Sequence, residues 1–66
     1  MALVMVRFED GPLRGVTLPV DHTAEEYRHT VLEPAPGRGT RTMVYVYRRT
    51  GRTTFAMARE VDEGID

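Results

Sequence analysis

Sixty-six residues, a net charge of −1 and no cysteine bound the chain to one small domain and exclude a disulfide framework or a cysteine-rich zinc scaffold. Lysine, serine, asparagine, glutamine and tryptophan are missing too, so all nine basic side chains are arginine. Without Ser, Cys or Lys there is no Ser-His-Asp or Cys-His constellation, no Schiff-base amine and no GxxxxGK[ST] phosphate loop.

A chain this short buries only roughly 60% of the surface that its unfolded form exposes, so its core is thin. With no disulfide or metal to supplement it, a partner or a second copy of the chain is the expected supplement. The longest apolar run, residues 2–6, is far too short to span a membrane, and it has neither the basic start nor the length of a secretory leader. A cytoplasmic location is expected, with no membrane partner. A GC-rich coding sequence accounts for the arginine bias. The competing account is selection for guanidinium groups that grip phosphate or carboxylate.

Residues 3–8 read as the first strand, with Val4, Val6 and Phe8 on one face and Leu3, Met5 and Arg7 on the other. Gly11, Pro12 and Gly15 mark a turn. Residues 16–20 form a second strand with Val16, Leu18 and Val20 on one side. Pro19 lacks an amide proton, so this strand belongs at an edge. Thr23-Ala24-Glu25-Glu26 has capping-box spacing, which predicts one short helical turn near 23–26. Residues 27–32 then read as a strand, and the Pro- and Gly-rich residues 33–39 as a loop.

Residues 41–61 form the most ordered pattern: two strands joined by a tight turn. A three-residue loop, Arg49-Thr50-Gly51, with Gly51 left-handed in a bulge, avoids positive φ at Thr50. It pairs Arg48 with Arg52, Tyr45 with Phe55 and Met43 with Met57. One face then holds Met43, Tyr45, Tyr47, Phe55 and Met57 as an apolar core or subunit contact. Val44, Val46, Thr54, Ala56 and Ala58 line the other. Both faces are expected to be covered, one by the N-terminal hairpin and one by a second subunit. Residues 62–66 form an acidic tail expected to fray. The fold class that follows is all-β and mainly antiparallel, one domain over residues 1–66, with four or five strands in a small sheet or partly open barrel.

Charge is polarised along the chain. Arg38, Arg41, Arg48, Arg49 and Arg52 lie in an acid-free segment, residues 38–52, with a charge of +5, while the segments on either side each carry −3. These five arginines are the candidate polar contact surface. With Tyr45 and Tyr47 nearby they could hold phosphates and stack bases. An overall acidic chain is a poor nonspecific nucleic-acid binder, so an acidic protein partner competes with nucleic acid. A helical reading would put His22, Glu26 and His29 on one face as zinc ligands. The strand reading of residues 27–32 separates them, and no metal, cofactor or catalytic residue is expected.

The string Val6-Arg7-Phe8-Glu9-Asp10-Gly11-Pro12-Leu13-Arg14-Gly15-Val16-Thr17-Leu18-Pro19, with the later Val44-Tyr45-Val46-Tyr47-Arg48-Arg49, resembles a group of short uncharacterised β-rich proteins of actinobacteria and their phages. The likeness covers about half of the chain. It implies a small β fold and a phage or actinobacterial origin, and it transfers no functional residue. The expected function is a non-enzymatic binding or structural module, a phage-type accessory or assembly protein in host cytoplasm or virion. It would self-associate or bind a protein partner. The alternative is a nucleic-acid-binding module using the arginine-rich turn.

Overall fold

A computed structural model describes residues 2–37 and 39–65. The chain runs β1 (Leu3–Phe8), a 3-10 turn (Gly11–Leu13), β2 (Thr17–Asp21), β3 (Glu26–Pro34), β4 (Thr40–Arg49) and β5 (Thr54–Ile65). These form one five-stranded mixed sheet in the order β2-β1-β5-β4-β3, curled into a half-barrel. All pairings are antiparallel except β1 with β5, which run parallel over Arg7–Thr54 and Phe8–Phe55. The Arg7 amide donates to the Thr53 carbonyl at 2.8 Å and the Glu9 amide to the Phe55 carbonyl at 2.9 Å, the slanted bonds of a parallel ladder.

Alternation explains the core. Val6 and Phe8 point inward from β1 and are fully buried, as are Tyr47 from β4 and Phe55 from β5. The Phe8 ring lies edge-on to Tyr47 at 4.9 Å and to Tyr27 at 5.2 Å, within the range in which aromatic pairs attract beyond simple burial. Val20 and Leu13 complete the cluster, with Val4, Leu18, Ala24, Tyr45 and Met57 packed around it. Pro19 falls in β2, which is an edge strand as its missing amide requires.

Three expectations are corrected. No helical turn forms near 23–26. Asp21 Oδ1 instead accepts the Thr23 amide at 2.8 Å and the Thr23 hydroxyl at 2.7 Å, a side-chain turn that outcompetes a cap. The one helical turn among the described residues is the 3-10 turn at Gly11–Leu13. Residues 62–65 do not fray among the described residues but continue β5, with Asp62 opposite Met43 and Ile65 opposite Arg41.

The hairpin register is the third correction. Arg49 pairs with Phe55, Arg48 with Ala56 and Tyr47 with Met57, and Gly51 does not take positive φ. The turn spans residues 50–53, with the Thr50 amide donating to the Thr54 carbonyl at 2.9 Å. Tertiary packing selects this register, because Phe55 must lie opposite Phe8 of β1. The observed pairing is displaced from the expected one by an even number of residues, so side chains keep their faces. Farther along, a bulge skips Ala58: Val46 pairs with Arg59 and Tyr45 with Glu60. Beyond it, Arg59 and Val61 face outward while Glu60 and Asp62 face inward.

Candidate functional site

The five candidate arginines do not form one surface. Arg38 lies outside the described residues. Arg41 and Arg48 are seven residues apart on an extended strand, about 23 Å, and alternation puts them on opposite sheet faces. Arg48 and Arg49 are neighbours in sequence and therefore also point to opposite faces.

Each described arginine has its own surroundings. Arg49 acts as a clip. Its Nε donates to the Ala24 carbonyl at 2.9 Å, Nη2 reaches the Asp21 carbonyl at 3.3 Å, and Nη1 donates to the Arg52 carbonyl. Its guanidinium lies 4.9 Å from the Phe55 ring centre, in cation–π range. Arg49 thus ties the turn between β2 and β3 to the turn between β4 and β5, and its donors are spent on backbone. Arg52 stands exposed on that second turn and borders an open hollow of about 460 Å³ with Val4, His22 and Arg49. A second open hollow, about 290 Å³, is lined by Arg7, Glu9, Arg14, Gly15 and Thr54.

Arg41 sits at the far inner end of β4. Its Nη2 donates to Glu33 Oε1 at 3.1 Å and its Nη1 lies 3.8 Å from Asp62 Oδ2, while its Nε is buried with no hydrogen-bond partner among the described residues. Tyr45 donates its hydroxyl to the other Glu33 oxygen at 3.1 Å. The Glu33 hydrogen bond, with burial second, holds the Tyr45 phenol above its ordinary range, and the hydrogen bond to Glu33 raises Arg41 further. The inner face of the distal sheet is therefore an acidic strip of Glu33, Glu60 and Asp62 around one arginine.

The outer face is mainly basic, with Glu26 opposite Arg48 as its carboxylate on β3. Register places Arg28 and Arg59 on either side of Val46, and Arg48 two residues farther along β4. All three arginines are exposed and have no hydrogen bond or ion pair among the described residues. Val44 and Val46 lie between them, Val46 only 1% exposed, with Val61 and the 67%-exposed Leu32 alongside. No element of the chain covers this face among the described residues. Arg28 and Arg59 lay outside the sequence-selected arginine cluster. The signal that could have found them is the cross-strand row through Val46, which exists only once the bulged register is known.

Met43, Tyr45, Tyr47, Phe55 and Met57 do share the inner face. Tyr47 and Phe55 are 0% exposed and belong to the core cluster, with Tyr45 and Met57 packed against it; Met43 is buried nearer the distal end. The Tyr47 hydroxyl is taken by Asp10 and Leu13, so it is not free to stack on a base. His22 lies in the turn after β2, while Glu26 and His29 point to opposite faces of β3, so the three do not converge. No cluster of metal-ligating side chains occurs among the described residues. No helix among them is long and apolar enough to cross a membrane. No protein-family model matches the chain, and neither a curated protein nor a solved structure matches it.

Proposed function

We propose that the protein is a non-enzymatic binding or structural module that acts through protein contacts, self-association included, as a phage-type accessory or assembly protein of an actinobacterial host, in its cytoplasm or in the virion. The observation that carries this reading is the uncovered outer face of β3, β4 and β5. On it Leu32 and Val61 stand exposed beside the buried Val44 and Val46, and Arg28, Arg48 and Arg59 have no side-chain partners among the described residues. Protein interfaces combine apolar side chains with arginine in this way. The fitting partner is a protein surface with an apolar centre and a carboxylate rim, because net positive charge on one side calls for net negative charge on the other. The two hollows are open, and the described residues include no buried charged side chain, which supports a surface-acting module over a catalyst.

The test is capture from the native host, followed by binding of the purified captured protein to wild type and to the Arg28→Glu/Arg48→Glu/Arg59→Glu variant. A loss of at least about tenfold in affinity, with unchanged circular dichroism, supports the reading. Equal affinity of both proteins overturns it. Nuclease-sensitive capture whose affinity falls steeply with salt replaces it with the nucleic-acid alternative.

A further inference from the structure

The sheet has two outer edges, and they differ. β2 is short, Thr17–Asp21, and carries Pro19, both devices that blunt an edge against pairing. β3 is nine residues long, Glu26–Pro34, and its pairing with β4 shows no register shift along its whole length. It has no lysine, no bulge and no proline before its last residue.

The direction of its free hydrogen-bonding groups follows from one bond. The Arg49 amide donates to the Glu25 carbonyl at 3.0 Å, in register with the Glu26–Arg48 pairing. Hydrogen-bonded and non-bonded pairs alternate along an antiparallel ladder. Glu25, Tyr27, His29, Val31 and Glu33 therefore turn their amides and carbonyls toward β4. Glu26, Arg28, Thr30 and Leu32 turn theirs away from the sheet.

We propose that a second copy of this chain pairs with β3 antiparallel, about a two-fold axis at Thr30, joining the two five-stranded sheets into one. In this register Thr30 faces Thr30 of the second copy, Arg28 faces Leu32, and Glu26 faces Pro34. On the inner face Tyr27 meets Glu33 and His29 meets Val31. Every outward amide of Glu26, Arg28, Thr30 and Leu32 finds a carbonyl. No like charges are opposed, and Thr–Thr is a favourable cross-strand pair. The aliphatic stem of Arg28 covers Leu32, the most exposed large apolar side chain described. Moving the axis to His29 sets Glu25 against Glu33 and His29 against itself. Moving it to Val31 loses bonds, because Glu26 then falls opposite Pro36, beyond the end of β3. The inference deepens the self-association arm of the proposed function; it draws Arg28 and Leu32 into the seam and leaves Arg48, Arg59 and Val61 of the outer face to another partner.

The absence of cysteine from the chain makes the register directly testable. A hydrogen-bonded antiparallel pair has Cα atoms about 5.5 Å apart, within disulfide reach. Thr30→Cys should give a disulfide-linked dimer under mild oxidation. Arg28→Cys should not, because its counterpart lies four residues along the strand, about 13 Å away. By sedimentation, wild type should dimerise with rising concentration, and Thr30→Pro should weaken dimerisation by about tenfold or more while circular dichroism is retained. Leu32→Arg should weaken it by repulsion from Arg28, and Arg28→Glu/Leu32→Arg should restore it. A wild type that stays monomeric, or equal cross-linking at both cysteine positions, overturns the proposal. If that monomer still binds its captured partner through the outer face, the edge pairing alone has failed and the functional reading stands.

Discussion

Tyr47 donates its hydroxyl proton to the carbonyl oxygen of Asp10 at 2.9 Å, across 37 positions of the chain. The same hydroxyl accepts the Leu13 amide at 2.9 Å, and the Asp10 carboxylate accepts the amide of Met57, the cross-strand partner of Tyr47, at 2.7 Å. Asp10 thus holds both members of one β4–β5 pair, beside the bulge at Ala58. The loop after β1 is fastened to the centre of the sheet by this node.

Tyr47→Phe keeps the ring and its contacts with Phe8 but removes both bonds. The buried Leu13 amide is left unsatisfied, which costs about 1–3 kcal/mol. The midpoint of urea unfolding should fall accordingly with little change in slope. An unchanged midpoint would mean that the node adds nothing to stability.

Gly11 sits directly beneath that hydroxyl. Its φ is +70°, and a Cβ there would stand 2.6 Å from Tyr47 Oη and 2.9 Å from Met57 Sδ. Gly11→Ala is therefore destabilising on two counts, backbone strain and overlap, by about 1–3 kcal/mol. The two substitutions should couple. With the hydroxyl already gone in Tyr47→Phe, part of the clash disappears, so the double variant should lose less than the sum of the single losses. Strict additivity in the double-mutant cycle would show that the close approach is not what excludes a side chain.

Arg48 and Arg49 offer a control in adjacent positions. Arg49 is held by the carbonyls of Asp21, Ala24 and Arg52 and by the Phe55 ring, while Arg48 stands exposed. Arg49→Ala should cost about 2 kcal/mol, and Arg48→Ala should stay within about 0.5 kcal/mol of wild type. Arg49→Lys should recover only part of the loss, because an ammonium cannot reproduce the planar fork. Hydrogen exchange should rise at residues 21–25 and 50–53 in Arg49→Ala alone. Equal losses in the two alanine variants would refute the division of roles.

These relationships mark what the sequence made legible. Alternation within each segment placed Val6, Phe8, Tyr47 and Phe55 on buried faces, and Pro19 identified an edge strand. The faces are independent of the hairpin register here, because the expected and observed pairings differ by an even number of residues. The bulge at Ala58 left no local trace, nor did the parallel step between β1 and β5, which sets Phe55 opposite Phe8. The arginine cluster is continuous in sequence but not in space. Along a strand, adjacent residues diverge to opposite faces, and Arg41 and Arg48 stand far apart. The arginines that do share a surface, Arg28, Arg48 and Arg59, come from three strands and meet only through tertiary pairing.

Tyr45 and Glu33 set the expected alkaline behaviour. The Glu33 carboxylate, accepting the Tyr45 hydroxyl, raises the phenol above its ordinary range. A raised pKa in the folded state means that the stabilisation is complete below the unfolded phenol value, about 10, and is lost as pH rises through the folded one. Glu33→Gln should bring the Tyr45 ionisation down toward the ordinary range and reduce that alkaline loss. Ultraviolet titration of tyrosinate, with Tyr45→Phe identifying which phenol moves, measures the shift. The same substitution takes from Arg41 its nearest carboxylate, leaving Asp62 at 3.8 Å, so the distal ends of β3 and β5 should exchange amide protons faster. A titration curve identical in wild type and Glu33→Gln would show that the carboxylate does not govern Tyr45. Unchanged exchange at those strand ends would show that the strip does not hold the distal sheet together.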